Sequence, residues 1–186
     1  MVENKDFKKI DFTSKSLTGD EHENCSFIEC DFSNSNLNNI VFVDCVFENC
    51  NLSLCKTQNT AFKSVKFENC KLLGVDFSEC NPFLLSMTFD HCFMNLSSFY
   101  ALKIKSKTFT DCSMHEVDFT NSDLSSTIFN NCDLKHAIFD RTILLKTNFT
   151  SATNFNIDPE NNNIKGAQFS KEGLIGLLEK YKIKVN

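Results

Sequence analysis

The sequence predicts an all-β solenoid: a four-sided parallel β-helix of about 20 residues per coil, closed by a short C-terminal α-helical cap. Three regularities predict it. The first is a five-residue step, in which a large apolar centre recurs at Phe27, Phe32, Leu37, Phe42, Phe47 and Leu52, then at Phe62, Phe67, Leu72 and Phe77, with Thr57 out of type. After a two-residue slip the step resumes at Leu84 and runs to Phe149. The second is a restricted slot two positions before each centre, most often Cys, Ser, Thr, Val or Ala; all ten cysteines occupy it. The third is a longer period. Phe27, Phe47, Phe67, Phe89, Phe109, Phe129 and Phe149 follow at steps of 20, with one step of 22, and Phe169 extends the file. Cys30, Cys50, Cys70, Cys92, Cys112 and Cys132 keep the same rhythm. Neither the strand period nor the helix period explains a strict five, so this is repeat architecture. Four units return the chain to the same side, and coils stack as parallel strands roughly 4.8 Å apart. Centres then form a Phe/Leu interior, with the slot residues filling the corners.

Taken in order, residues 1–24 are a softened form of the pattern. Phe7, Phe12 and Leu17 keep the step, but the run Thr18-Gly-Asp-Glu-His-Glu-Asn is polar. A leading strand and an N-terminal cap are expected there, because a first coil otherwise bares its core and its strand edges. The β-helix proper spans 25–169. Its slip lies near 78–83, where Pro82 cannot donate to a ladder and a corner bulge is expected. Around 154–163 the composition is that of a loop. In 170–186, Ser170 is placed to N-cap a helix whose Leu174, Leu177, Leu178 and Tyr181 share one apolar face, and Ile183 and Val185 alternate as a short strand.

Several units resemble a known family. Cys30-Asp-Phe-Ser-Asn, Val75-Asp-Phe-Ser-Glu, Val117-Asp-Phe-Thr-Asn and Cys132-Asp-Leu-Lys-His are similar to the A(D/N)LXX unit of the pentapeptide-repeat proteins, with Cys often replacing Ala. The resemblance implies a right-handed quadrilateral β-helix. The terminal segment resembles the helix-and-strand module through which Qnr-type members form end-to-end homodimers, so Leu174, Leu177, Leu178, Tyr181 and Ile183 are candidate dimer contacts; a monomeric cap is the alternative. Some members are acidic rods that look like duplex DNA and bind type II topoisomerases. The resemblance therefore implies a DNA-mimicking partner of DNA gyrase or topoisomerase IV. The projecting loops of the plasmid-borne Qnr proteins have no counterpart here.

Composition narrows the classes. The 186 residues suit one domain, and 20 Phe with no Trp suit a narrow core that offers polar groups no partner. No apolar stretch is long enough to span a membrane, and the N-terminal residues lack the apolar middle of a signal peptide, so a cytoplasmic location is expected. Ten cysteines there read as buried free thiols. Parallel Cβ vectors aim neighbouring sulfurs poorly for disulfides, and a file of thiols makes no tetrahedral metal cage. No cofactor or metal is expected. His22, His91, His115 and His136 fall on different sides without an evident nucleophile, and no phosphate loop, GxSxG or HExxH motif is present, so an enzyme is not expected.

Function is then a matter of surface. Glu29, Glu48, Glu68, Asp90 and Asp111 fall close to one line beside the all-Phe file, an acidic stripe that reads either as a solvated face or as a partner-binding surface. Two sides further round, Val41, Val43, Lys63, Phe83, Leu85, Lys103, Lys105, Ile143, Leu145 and Lys146 make a basic, apolar side. Two classes stay open: a DNA-mimicking topoisomerase partner that itself binds no nucleic acid, and a scaffold rod that binds another protein.

Overall fold

The computed structural model describes residues 1–184, so Val185 lies outside the described residues. Thirteen short strands carry the fold: β1 (Val2–Glu3), β2 (Asp6–Lys8), β3 (Glu21–Glu23), β4 (Ser26–Ile28), β5 (Val41–Val43), β6 (Val46–Glu48), β7 (Ala61–Lys63), β8 (Val65–Glu68), β9 (Met87–Asp90), β10 (Thr108–Thr110), β11 (Ile128–Asn130), β12 (Asn148–Phe149) and β13 (Gln168–Phe169). All pairings are parallel. One sheet has the order β1-β3-β5-β7, and the other runs the length of the molecule as β2-β4-β6-β8-β9-β10-β11-β12-β13. The register is that of the periodicity: Phe7 pairs with Phe27, Phe27 with Phe47, and Phe67 with Phe89. This is a four-walled parallel β-solenoid, and each coil brings one strand to the long sheet.

Most units are built alike. Its centre points inward, and the residue two places later turns the corner with positive φ, as in Asn24, Glu29, Asn34 and Asn39. Asn tolerates that left-handed conformation better than most residues, which accounts for its recurrence there. On the two walls without sheets the turn closes on itself, for example Ser35 N–H to Phe32 C=O at 3.0 Å and Cys55 N–H to Leu52 C=O at 3.1 Å. The residue before the centre finishes the turn. Asp31 accepts from Ser33 N–H at 2.8 Å, Asp118 from Thr120 N–H at 2.8 Å, and Asp123 from Ser125 N–H at 3.1 Å. That is the physical content of the Asp in the repeated unit: an Asx turn.

The slot before each centre also has a polar task. Cys50 Sγ donates to Phe27 C=O at 3.2 Å and Cys70 Sγ to Phe47 C=O at 3.3 Å, each reaching the centre of the coil before it. Thr60, Thr127 and Thr147 do the same to Leu37, Ile104 and Leu124. A small residue with one donor satisfies a carbonyl that the narrow core would otherwise strand. All ten cysteines are free and buried, and burial pushes the thiols of Cys45 up to about 11 and of Cys55 and Cys80 up to about 12.

The aromatic file is continuous. Phe27 and Phe47 stack at 4.7 Å, Phe89 and Phe109 at 5.3 Å, and Phe149 and Phe169 at 5.3 Å, in near-parallel planes. From Phe27 to Phe149 these rings are buried, while Phe169 at the end is half-buried. Each full burial contributes roughly 1.5–3 kcal/mol.

Four local expectations are corrected. Residues 2–17 already form a coil, with β1 and β2 in the two sheets and Asp11 bridging Asp31, and His22 in the polar run is not part of a cap. It is a core residue, fully buried between Val2 and Phe42 in register and stacked on Phe42 at 5.5 Å. Counting five from Leu17 would have found it. At the slip, Leu84 is not a centre: it turns a corner at φ +58 and is 64% exposed, and Leu85 packs against the core instead. Register is still 20 at Asn81, whose N–H bonds Thr60 C=O, and is 22 at Met87 opposite Val65, so the extra residues lie within 81–86. In the loop region, Phe155 and Ile157 are buried and plug the last coil.

Finally, the C-terminal cap is not α-helical. Glu172–Leu177 and Glu179–Tyr181 are 3₁₀ turns, and Ile183 is not in a strand. Gly176 decides this: an added Cβ there would lie 2.3 Å from Phe155 O, and its own C=O accepts from Ile157 N–H at 2.9 Å. The tight approach seats the segment on the plug, and Gly173 and Gly176 weaken any α-helix. Ser170 still caps, accepting from Gly173 N–H at 2.9 Å.

Candidate partner-binding surfaces

The acidic residues beside the all-Phe file do not form one line. Register puts Glu48, Glu68 and Asp90 in a single row, each directly after its Phe. Glu29 and Asp111 belong to the next row, on the corner, with Asn49, Asn69 and His91 between them. The row is bounded by Ile28 before it and Thr110 after it. Lys9 lies 3.5 Å from Glu29, so the charge is densest over the middle coils.

These carboxylates differ in kind from the turn-capping ones on the surface. Asp11, Asp31, Asp76, Asp118, Asp123 and Asp133 precede their centres and accept a backbone N–H two residues on. Glu48, Glu68 and Asp90 follow their centres on a flat sheet. Among the described residues their side chains touch Asn49 Nδ2, at 3.3 Å from Glu48, and the His91 ring, at 2.8 Å from Asp90. Their charge is therefore available to a partner, whereas the turn-capping carboxylates are committed to the fold. Hydrogen bonding to Asp90 raises the His91 pKa above its usual value.

The basic, apolar side is only partly exposed. Val41, Val43 and Leu145 are half-buried, Phe83 is 68% exposed, and Lys105 pairs with Asp123 at 2.9 Å. A different apolar surface, which the sequence reading missed, lies on the wall after the long sheet. Leu54, Leu73, Phe93 and Leu96 are all exposed there on three consecutive coils. Gly74 makes room for it, since a Cβ there would meet Leu54 Cδ2 at 2.7 Å. The signal was present as Leu-rich outward positions, but the coil geometry was needed to group them.

The five candidate dimer contacts separate. Leu177 packs against the core, while Leu174, Leu178, Tyr181 and Ile183 are exposed, with Ile175 beside them. Lys180 holds the segment by reaching Asp158 and Glu160, both at 2.7 Å, and Tyr181 donates to Glu160 at 2.9 Å. Between this segment and the last coils lies a cleft of about 970 Å³, lined in part by Ile138, Phe139, Phe155, Ile175, Leu178 and Ile183. The rod thus has a concavity at one end.

Comparison with known proteins agrees with this construction. A model of the pentapeptide repeat region matches residues 21–82, and one of pentapeptide repeats in eight copies matches 118–153, together just over half of the chain. The chain belongs to the pentapeptide-repeat family. Its likeness to solved members is distant. Trypsin-treated QnrB1, a plasmid-mediated fluoroquinolone resistance protein, is 18% identical over 99% of both chains with a TM-score of 0.47. HetL, involved in heterocyst differentiation regulation in the cyanobacterium Nostoc sp. strain PCC 7120, is 14% identical over 92% of this chain and 90% of its own, with a TM-score of 0.42. A pentapeptide-repeat protein of the Arabidopsis thaliana thylakoid lumen is 23% identical over 53% of this chain and 61% of its own, with a TM-score of 0.36. Among curated proteins nothing matches.

Proposed function

We propose that this pentapeptide-repeat protein is a non-catalytic rod that binds a type II topoisomerase, DNA gyrase or topoisomerase IV, by presenting its acidic row where duplex DNA would lie. It thereby lowers sensitivity to quinolones or to toxins acting on that enzyme. The observation that carries the reading is the row Glu48, Glu68 and Asp90, three carboxylates in register on one flat sheet and free of turn capping. A saddle built for phosphate attracts such a row by the same field. A net charge of -5 argues against direct nucleic-acid binding, and a homodimer would double that charge.

The test is DNA supercoiling by gyrase, with and without ciprofloxacin, across a titration of purified protein. Protection from the drug, or inhibition at higher protein concentration, is expected, and at least tenfold more of a Glu48→Gln/Glu68→Gln/Asp90→Asn variant should be needed. No effect of the wild type on gyrase or topoisomerase IV overturns the reading.

The dimer is proposed through the exposed Leu174, Leu178, Tyr181 and Ile183 at the C-terminal end. Leu178→Asp should halve the mass seen by light scattering; a wild type already monomeric, or a variant of unchanged dimer mass, removes that interface.

A second reading rests on the exposed Leu54, Leu73, Phe93 and Leu96, a contiguous apolar surface of the kind that marks protein contacts. It makes the rod a scaffold for another protein, and HetL is an example of a family member described in a regulatory role.

A further inference from the structure

Two histidines touch carboxylates, exposed His91 and half-buried His115, and they do so differently. His115 Nε2 lies 2.8 Å from Asp133 Oδ2, but the other oxygen of Asp133 is taken by Asn154 Nδ2 at 2.8 Å and Lys135 N–H at 3.1 Å. That pair is closed by its own neighbours. His91 instead stands between two carboxylates from successive coils, with Nδ1 2.8 Å from Asp90 Oδ1 and Nε2 3.7 Å from Asp111 Oδ2. One donor atom from each of Asp90, His91 and Asp111 falls within 4.8 Å of the others. Among the described residues no lysine or arginine comes within ion-pair range of either carboxylate, so two negative charges share a single imidazole. Ladder bonds hold the backbone, His91 N–H to Thr110 C=O and Asp111 N–H to Asn130 C=O, both 2.9 Å.

We propose that Asp90, His91 and Asp111 form a surface site for a divalent first-row transition-metal ion of the Zn²⁺ class. A carboxylate on Nδ1 is the arrangement that fixes the tautomer of a metal-binding imidazole and turns the Nε2 lone pair outward. Asp90 supplies that carboxylate, and Nε2 then faces Asp111. At metal–ligand distances of about 2.1 Å, two donors on one tetrahedral ion sit ~3.4 Å apart, so the gap between His91 and Asp111 needs only a small side-chain rotation. Water completes the shell, since all three side chains are exposed. One imidazole with carboxylates suits Zn²⁺ and its first-row neighbours, while Mg²⁺ and Ca²⁺ favour shells made of oxygen. Binding releases any proton on His91, so affinity falls as pH drops. A bound ion would also cancel charge at the end of the acidic row.

The test is calorimetric titration of the reduced full chain with ZnCl₂ and separately with MgCl₂, alongside the His91→Ala, Asp111→Asn and His115→Ala variants. Wild type should bind one Zn²⁺ with a dissociation constant below about 100 µM, Mg²⁺ should bind at least tenfold more weakly, His91→Ala and Asp111→Asn should each lose tenfold or more, and His115→Ala should match wild type. His91→Ala retains all ten thiols, so Zn²⁺ binding of undiminished affinity in it belongs to the cysteines or another group and overturns the site. Co²⁺ gives an independent reading: a thiolate charge-transfer band contradicts the proposal, and its absence from a bound, visible-absorbing complex supports it. Equal affinity for Mg²⁺, or no measurable Zn²⁺ binding, overturns it as well.

Discussion

The coils before Asn81 and those after Met87 solve the same packing problem in two ways. Both keep the long sheet and its Phe file. Before the slip, stacked rings flank the long sheet on both neighbouring walls, Phe12 and Phe32 at 4.5 Å on one, and Phe42 and Phe62 at 5.5 Å behind the β5–β7 pairing on the other. From Phe77, in the last coil before the slip, a file occupies the wall opposite the long sheet and continues beyond it as Phe99, Phe119 and Phe139, stacked at 4.8, 5.4 and 5.3 Å. Smaller centres exchange in return: Leu37 and Thr57 precede Phe77 on one wall, and Ile104, Leu124 and Leu144 follow Phe62 on the other. The cross-section accepts one or two further rings beside the long-sheet file, as Phe62 and Phe77 both pack on Phe67, and adjacent or opposite walls provide the room.

The sheets follow the rings. Val41-Phe42-Val43 and Ala61-Phe62-Lys63 carry the β-branched and aromatic residues that suit a pleated surface. On the same wall beyond the slip, Asp123 accepts from Ser125 N–H, and the local Asx turn replaces the strand, leaving isolated bridges such as Asp123 to Ile143. The insertion at 81–86 sits at the changeover, with Phe83 and Leu84 pushed into solvent. A two-residue step thus divides one continuous solenoid into two packing regimes without breaking the long sheet.

The largest expected effect probes what the regimes share. Phe109→Ala empties a position stacked against Phe89 at 5.3 Å and Phe129 at 5.2 Å, and should cost about 3–5 kcal/mol in chemical denaturation. Because each coil contacts mainly its neighbours, the loss should loosen the coils near it first, seen as hydrogen exchange in β9–β11. An unchanged denaturation midpoint would mean the long file does not support the stack.

The next effect is confined to the first regime. Burial depresses the His22 pKa below its usual value, Nε2 lies 3.3 Å from Gly19 C=O, and Nδ1 has no partner among the described residues. The unfolded coil therefore takes up the proton first, so stability is full above about pH 6.5 and falls as pH drops below it. The charged groups on the packed strands, Glu3, Glu21 and Glu23, lie in the intervening outward positions. His22→Phe, which continues the Phe42–Phe62 file, should abolish the acid loss in the β1–β3–β5 amides and leave those of β10–β12 unchanged. Equal acid sensitivity in wild type and variant would separate the effect from His22.

The smallest effect tests why the second regime lacks the second sheet. Asp123→Ala removes the Asx turn and should cost about 0.5–1.5 kcal/mol by denaturation. A loss of less than a few tenths would show that the turn does not depend on that side chain.

What the sequence by itself determined is the repeat. A strict step of five, slots filled by Cys or Thr, and a Phe at every twentieth place leave one arrangement in which every apolar centre is buried, so the wall count, core file and register were legible before any coordinates. Some of the site was legible too, since Glu48, Glu68 and Asp90 share a row through period alone. Tertiary structure decided what period cannot rank. Glu29 and Asp111 shifted to the corner row because a positive-φ residue leads the chain onto the next wall. Leu85 rather than Leu84 packs against the core because Leu84 falls on the corner two residues past Pro82, and the two additional residues follow that corner before Met87 meets Val65. The terminal segment became 3₁₀ because Gly176 is pressed against the Phe155 carbonyl, a contact between distant residues that no local propensity encodes. Short-range repetition sets a solenoid wherever it is unbroken; at its slips, corners and ends, close contacts between specific atoms choose among structures that the pattern leaves equivalent.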